Sequence, residues 1–141
     1  MSEHSQIAND AVRELVTANR ILGHEGVVDA LGHVSVRHPE NAGRYLLSCS
    51  RSPELVTEDD IMEFDLDSNP IDQRGRNMYV ERSIHGCVYQ ARPDVNAVCH
   101  SHAHELIPFR RHWNTDQAHL GHGRGHGRGG AALGHPGGLP R

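Results

Sequence analysis

The chain contains no lysine: all 14 basic residues among its 141 are arginine. Enzymes that work through a Schiff base need a lysine amine, so that chemistry is excluded. A phosphate-binding loop ending in Lys-Ser or Lys-Thr is excluded for the same reason. If the protein stabilises negative charge on a substrate carbon, a metal ion is the obvious electron sink that remains.

Aromatic residues and cysteines are also few. Aromatic residues make up 4 % of the chain, which is a low content for the moderate core of a single domain of this length. The three cysteines, Cys49, Cys87 and Cys99, are odd in number and lack metal-ligand spacing, which favours a reducing compartment over a disulfide framework. We expect Cys99 to be a small buried residue. Because no apolar run is long enough for a signal sequence or membrane span, we expect a cytoplasmic protein without a membrane partner.

The composition changes at Arg110. Residues 1–109 carry a net charge of −8, whereas residues 110–141 carry +4 and contain nine glycines and five histidines. The second segment has no apolar periodicity and cannot bury enough surface to offset its ordering entropy. We therefore predict one domain over residues 1–109 and a tail over residues 110–141 that is disordered by default.

Three origins of the tail are considered. Its Gly-Arg-Gly-His repeats could bind RNA or buffer metal ions, or the tail could be an ordinary disordered end. The interpretation we favour is translation in the wrong frame, because one coding of residues 111–117 read one base later gives Val-Thr-Gly-Thr-Pro-Ile. We therefore expect no nucleic-acid partner, and we expect the polypeptide to be an incomplete fragment, which could lack activity.

A carboxylate precedes a pair of histidines in the middle of the chain. Val80, Ile84 and Val88 recur at a four-residue step, which predicts a helix over residues 78–91 with one apolar face. Glu81 lies one position off this stripe. The pattern therefore places Glu81 at the edge of a cleft.

The histidines follow on a predicted strand. Val95, Ala97 and Cys99 alternate with Asn96, Val98 and His100, which indicates a short half-buried strand. Residues two apart on a strand point to the same face, so His100 and His102 are expected together. His104 would share that face if the strand continued. Two imidazoles on one face suit Zn²⁺, which takes nitrogen ligands at about 2.0–2.1 Å. The alternative is a pair of hydrogen-bonded or exposed histidines, which this spacing alone does not exclude.

Helices and strands are interleaved along the rest of the domain, which is typical of an α/β layered fold. We predict strands over residues 33–37, 45–47 and 61–66, with a turn at residues 67–70. A short helical turn is expected after Thr57, capped by the threonine oxygen. An amphipathic first helix ending near Gly23 is predicted from the spacing of Ile7, Ala11, Leu15, Ala18 and Leu22.

A family resemblance rests on three blocks, which are residues 32–37, residues 47–54 with 57–61, and residues 81–102. Together they resemble the class II aldolase/adducin family, which includes fuculose-phosphate aldolase and ribulose-phosphate epimerase. The resemblance implies a three-layer αβα sandwich with a mostly antiparallel central sheet and a homotetrameric assembly. It also implies that His100 and His102 bind a divalent metal ion, usually zinc but in some members Mn, Mg or Co, and that Glu81 is the catalytic acid or base.

The family's third histidine ligand lies well downstream of the pair. The block that carries it is absent here, so the C-terminal part of the fold is expected to be missing. A tail histidine, His119 or His122, could replace that ligand, although a flexible donor gives poor geometry. We expect weak metal binding by two histidines and an unpaired sheet edge.

Two departures from the sugar-phosphate aldolases point to a carboxylated substrate. Leu-Gly-His stands where those enzymes have Ser-Gly-Asn, and Ser-Arg-Ser where they have Ser-Gly. Arginine grips a carboxylate with two parallel hydrogen bonds. The chain thus resembles the branch of decarboxylases that act on hydroxy-carboxymuconic semialdehydes or dihydroxyphthalates. The substrate-binding residues that this implies are Gly32, His33, Ser50, Arg51 and Ser52.

Alternatives remain for both the residues and the function. Arg51 could be an exposed loop residue, and His33 could cap a backbone group in a turn. The protein could instead be a sugar-phosphate aldolase or epimerase, or a non-enzymatic, adducin-like interaction module. Retro-aldol cleavage and decarboxylation both leave an enolate that a metal ion can stabilise, and Glu81 would return the proton to carbon.

Overall fold

The computed structural model of the protein describes the backbone of residues 3–102 and the side chains from residue 8 onward. His104, His119, His122 and the predicted tail therefore lie outside the described residues. The described elements belong to one compact unit, Met1–Ile107. They are α1 (Glu3–His24), β1 (His33–Arg37), β2 (Arg44–Ser48), β3 (Ile61–Asp65), α2 (Arg82–Ala91) and β4 (Ala97–His100), with short 3-10 helices at Pro53–Leu55 and Glu58–Asp60. Neither described helix combines the length and the apolar character needed to cross a membrane.

The four strands form one antiparallel sheet in the order β3-β2-β1-β4. β1 lies in the middle and pairs with β2 through Ser35 and Leu47, and with β4 through His33 and His100. Residues that are directly opposite in an antiparallel pair project to the same face. The register therefore brings His33 beside His100.

The two helices cover opposite faces of this sheet. Leu15 of α1 packs with Val34 and Leu46 on one face. On the other face, Tyr89 of α2 belongs to a second buried cluster with Tyr45, Leu47, Met62, Phe64 and Tyr79. Successive residues of a strand point to opposite sides of the sheet, so neighbouring strand residues belong to different clusters. This arrangement confirms the predicted three-layer αβα architecture with an antiparallel sheet.

The first helix follows its predicted apolar face, but its C-terminal end differs in detail. It continues to His24, and the residue in the left-handed conformation is Gly26, with φ of 69°, not Gly23. Gly23 is required for a different reason: a Cβ there would lie 2.9 Å from Cγ of Glu54. The helix thus ends near Gly23, as predicted, but its left-handed residue is Gly26, and Gly23 is needed for close packing.

The prediction for the second helix was wrong in both its start and its buried face. α2 begins at Arg82, so Glu81 is the N-cap residue and not a helical one. Val80 is 89 % exposed and Ile84 is 38 % exposed. The buried positions of α2 are instead His85, Gly86 and Tyr89. Gly86 permits this orientation, because a Cβ at this position would lie 2.5 Å from Oγ of Ser68.

The last strand begins at Ala97, two residues later than predicted, and is an edge strand of the described sheet. Cys99 is exposed, so its prediction as a buried residue was wrong. The reason is that the cluster beneath α1 takes its strand residues from β1, β2 and β3, so within residues 3–102 this cluster does not extend over β4. Val98 and His100 point to the opposite face and are partly buried.

The remaining strand predictions are confirmed. β1 has the predicted bounds, β2 extends one residue further at each end, and β3 ends one residue earlier. The predicted helical turn after Thr57 is also present, with Thr57 as its N-cap residue and a capping box between Thr57 and Asp60. The Asp60 carboxylate accepts hydrogen bonds from both the backbone N–H and the hydroxyl of Thr57, at 2.8 and 2.7 Å.

Candidate metal centre

Three side chains converge at the end of β4, and we call Glu81, His100 and His102 the site triad. The two Nε2 atoms are 3.0 Å apart, and Oε2 of Glu81 lies 3.2 Å from His100 Nε2 and 3.5 Å from His102 Nε2. Ligand atoms that surround a tetrahedral ion at about 2.0–2.2 Å are themselves about 3.3–3.5 Å apart. The site triad therefore has the spacing needed to hold such an ion with little rearrangement.

Asp29 fixes the orientation of one of these imidazoles. Nδ1 of His102 lies 3.2 Å from Oδ1 of Asp29. A carboxylate can only accept, so the proton of His102 is on Nδ1 and the lone pair of Nε2 faces the other two members of the site triad. A carboxylate behind a histidine is the usual support of a metal-binding imidazole. This contact favours a metal site over a simple hydrogen-bonded histidine pair.

The same carboxylate organises the loop that follows α1. Oδ1 of Asp29 accepts hydrogen bonds from the backbone N–H groups of Leu31 at 3.0 Å and Gly32 at 2.7 Å. Slight burial acts to raise the pKa of Asp29, but the hydrogen bonds from His102, Leu31 and Gly32 outweigh it, and the pKa is lowered overall. Asp29 is therefore a charged acceptor at neutral pH. Its role was not predicted from the sequence.

Gly32 allows this loop to lie against the site. A Cβ at Gly32 would be 2.7 Å from Cβ of Val28 and 3.1 Å from the carbonyl oxygen of His100. Real Cβ atoms do not approach a neighbour that closely, so any larger residue would push the loop away from β4. The structure thus places Gly32 beside the site triad through its backbone.

His33 lies directly behind the site triad and is fully buried. Its ring stacks on His100 with centroids 4.9 Å apart, and one of its nitrogens lies within 4.8 Å of ligand atoms of Glu81 and His100. Burial, followed by the neighbouring His100, lowers the pKa of His33 to about 4. Nε2 of His33 has no hydrogen-bond partner among the described residues.

The loop of Ser50, Arg51 and Ser52 lies further from the triad. The Arg51 guanidinium pairs with Asp60 at 3.3 Å, and its side chain is 46 % exposed. Tyr79 donates its hydroxyl hydrogen to the carbonyl of Arg51 and packs its ring on His33, with centroids 4.2 Å apart. The loop is therefore connected to the site through Tyr79, while the Arg51 head group contacts Asp60 and not the site triad.

A chain of buried polar groups extends from His33 away from the site triad. Nδ1 of His33 lies 2.6 Å from Nε2 of His85, and Nδ1 of His85 lies 2.6 Å from Oγ of Ser35. Oγ of Ser35 is in turn 2.8 Å from the hydroxyl of Tyr89. Sequence reasoning singled out His33 but missed Ser35, His85 and Tyr89. The signal it could have used is the four-residue step from His85 to Tyr89, which places both on one face of α2.

Comparison with known proteins agrees with this geometry. The family described as "Class II Aldolase and Adducin N-terminal domain" matches residues 13–124. Decarboxylase tropJ of Talaromyces stipitatus is 36 % identical over 104 residues, which cover 72 % of this chain and 39 % of that protein. The 3,4-dihydroxyphthalate decarboxylase of Arthrobacter keyseri is 33 % identical over 114 residues, covering 73 % of this chain and 45 % of that protein.

The fold comparison points the same way. The structure of L-fuculose 1-phosphate aldolase from Glaciozyma antarctica is similar, with a TM-score of 0.65 and 29 % identity, covering 72 % of this chain and 43 % of that one. The chain thus spans less than half the length of these relatives. Since the family profile covers most of the chain and the fold agrees, the chain belongs to the class II aldolase and adducin N-terminal domain family.

Proposed function

We propose that the chain provides the metal-binding part of a divalent-metal-dependent carbon–carbon lyase. The observation that carries this proposal is the spacing of the site triad, with ligand atoms 3.0, 3.2 and 3.5 Å apart and Asp29 behind His102. Two imidazoles and a carboxylate suit zinc best, with Mn, Mg or Co as alternatives. The ion would supply Lewis-acid stabilisation of an enolate.

The proposed reaction is decarboxylation of a carboxylated oxo- or hydroxy-dienoic acid, or of a related acid of aromatic catabolism. Two relatives at 36 % and 33 % identity named as decarboxylases support this choice. The bond to the carboxylate carbon breaks, CO₂ leaves, and the electron pair stays on the substrate as an enolate. A proton must then return to that carbon.

Each residue of the site has its own proposed role. His100 and His102 hold the ion. The Glu81 side chain is 47 % exposed, so it can meet a substrate and deliver the proton directly or through a water molecule. Gly32, His33, Ser50, Arg51 and Ser52 would bind the substrate. Arg51 would have to exchange its contact with Asp60 for the substrate carboxylate.

The test is to supply the zinc-loaded protein with 3,4-dihydroxyphthalate and to measure CO₂ release. Glu81→Gln should keep zinc, because His100 and His102 remain and the amide oxygen can take the place of the carboxylate oxygen. It should stop CO₂ release, because the amide cannot deliver the proton. Glu58→Gln is the matched control, since its side chain is 59 % exposed and it lies on a 3-10 helix outside the site. Zinc-loaded wild-type protein without CO₂ release, or equal release by Glu81→Gln, would contradict the proposal.

A sugar-phosphate aldolase is the second candidate. The fold similarity to a fuculose 1-phosphate aldolase favours it. It predicts cleavage of L-fuculose 1-phosphate without CO₂ release, so the two assays separate the candidates. An adducin-like interaction module predicts no stoichiometric metal binding at all.

We also propose that the protein works as a homotetramer in the reducing cytoplasm. Cys49, Cys87 and Cys99 are free thiols, which is compatible with a reducing compartment. Sedimentation equilibrium of the purified chain tests the assembly.

A further inference from the structure

The buried chain from His33 to Tyr89 allows each of its protons to be placed. His33, Ser35, His85 and Tyr89 are each at most 1 % exposed, so bulk water does not supply partners to these groups. A buried donor without an acceptor is unfavourable, whereas an unused lone pair is tolerated more often. Either direction leaves one donor of the chain without a partner among the described residues, the Tyr89 hydroxyl or Nε2 of His33. Tyr89 belongs to the core cluster, whereas His33 stacks on His100 beside the site, where a bound molecule can supply an acceptor. The direction of the hydrogen bonds is therefore set at the Tyr89 end.

The Tyr89 hydroxyl sets the direction. Its hydrogen needs an acceptor, and Oγ of Ser35 at 2.8 Å is the side-chain acceptor that the structure gives it within residues 3–102. Tyr89 therefore donates to Ser35.

The remaining protons follow in order. Ser35 has received one hydrogen bond and donates its own hydrogen to Nδ1 of His85 at 2.6 Å. The proton of a neutral His85 is then on Nε2, which donates to Nδ1 of His33 at 2.6 Å. Because Nδ1 of His33 accepts, the proton of His33 is on Nε2. A second proton on His33 would not change this, since Nε2 would still carry hydrogen.

We propose that His85, held by Ser35 and Tyr89, fixes His33 as the tautomer protonated on Nε2, so that His33 donates a hydrogen bond to an anionic substrate oxygen and does not bind the metal ion. This inference rests on the proposed function for the identity of the substrate oxygen, a carboxylate or enolate oxygen. His85 is a positioning residue, because it acts through His33.

Two further observations support this role. Nε2 of the fully buried His33 has no partner among the described residues, and a ring nitrogen of His33 lies within 4.8 Å of ligand atoms of Glu81 and His100. An unused donor beside a metal site is the arrangement that stabilises charge developing on an oxygen. It also explains why the three tightly spaced ligand atoms belong to Glu81, His100 and His102, with His33 set behind them.

The first test is the tautomer itself, measured on the full chain without metal or substrate. The protein is labelled with ¹⁵N-histidine, and long-range ¹H–¹⁵N correlation spectra report which ring nitrogen of each histidine carries hydrogen. His33→Asn and His85→Gln assign the two rings. We expect both His33 and His85 to be protonated on Nε2. Protonation of His33 on Nδ1 would overturn the proposal.

Ser35→Ala tests whether the chain imposes this state. Without the serine hydroxyl, His85 loses the donor to its Nδ1, and we expect His33 to become a mixture of both tautomers. Ser48→Ala is the matched control, because Ser48 is an equally buried serine on β2 outside the chain, and it should give the wild-type His33 spectrum. A Ser35→Ala spectrum identical to wild type would also overturn the proposal.

The second test separates hydrogen bonding from metal binding. His33→Asn keeps an acceptor for His85 and removes the Nε2 donor. We expect it to bind zinc like the wild type, and to bind oxalate about 10- to 100-fold more weakly when zinc-loaded, as befits loss of a hydrogen bond to a charged group. Loss of zinc equal to that in His100→Gln would show that His33 is a ligand. Because the tautomer test needs neither zinc nor turnover, an inactive enzyme would not be mistaken for failure of this inference.

Discussion

Nδ1 of His102 lies 3.2 Å from Oδ1 of Asp29, although 73 residues separate them in the chain. The contact connects the loop after α1 to the residue just beyond β4. It holds the proton of His102 on Nδ1, so Nε2 can bind a metal ion without first losing a proton. Metal binding at the site triad is thereby coupled to the folding of this loop.

Asp29→Asn should weaken zinc binding by about 10- to 100-fold, the usual effect of removing the carboxylate behind a metal-binding histidine. The asparagine oxygen can still accept from the N–H groups of Leu31 and Gly32, so the loop should stay folded. Competition with a chelator of known affinity measures the change. Asp72→Asn is the control, since this carboxylate pairs with Arg74 on the surface. Equal zinc affinity of the two variants would contradict the role of Asp29.

Gly32→Ala should destabilise the protein by about 1–3 kcal/mol, because the added methyl group would lie 2.7 Å from Cβ of Val28 and 3.1 Å from the His100 carbonyl. Zinc affinity should fall with it, since the clash displaces the end of β4. Gly43→Ala is the matched control, because the nearest atom to its added methyl is a side-chain oxygen of Asn41 at 3.3 Å. Urea denaturation measures both variants, and equal free energies of unfolding would count against the close approach.

Replacement of Val80 tests the corrected orientation of α2. Val80→Ala should change the free energy of unfolding by no more than about 0.5 kcal/mol, as expected for a surface position. Val80 is 89 % exposed, whereas Leu47, in the cluster beneath α2, is fully buried. Leu47→Ala should therefore cost about 2–5 kcal/mol. A cost for Val80→Ala close to that for Leu47→Ala would restore the orientation predicted from the sequence.

These residues show how far the sequence predicts the structure. Alternation located β1 and placed His100 and His102 together, because strand geometry depends on neighbouring residues alone. The four-residue step from Val80 to Ile84 predicted the wrong buried face for α2. The buried face of a short helix depends on how closely its backbone can approach the sheet. Asp29 and His85 were missed because their partners lie 73 and 52 residues away in sequence. Such contacts exist only after the chain has folded.

Acidification should destabilise the metal-free protein. Burial lowers the pKa of His85 to about 3 and that of His33 to about 4, against about 6.5 in the unfolded chain. As the pH falls below about 6.5, the unfolded chain takes up protons that the folded chain does not, so the free energy of unfolding decreases. The contribution of these two neutral histidines to the free energy of unfolding is thus fully present above pH 6.5 and is lost progressively towards pH 4 and below.

Urea midpoints at pH 7, 6 and 5, in the presence of a chelator, measure this effect. The range down to pH 5 is informative because carboxylates of ordinary pKa titrate below it. His85→Gln removes one of the two buried histidines and should give a smaller decrease. Identical midpoints at pH 7 and pH 5 for the wild type would contradict the neutral burial of His33 and His85.

The most direct test of the metal centre is a calorimetric zinc titration of the wild type and of the His100→Gln/His102→Gln double variant. The variant keeps the five histidines of residues 110–141, so any binding by that segment appears in both proteins. We predict one zinc site in the wild type that is missing from the variant. Equal zinc binding by the two proteins would show that Glu81, His100 and His102 do not form the metal centre.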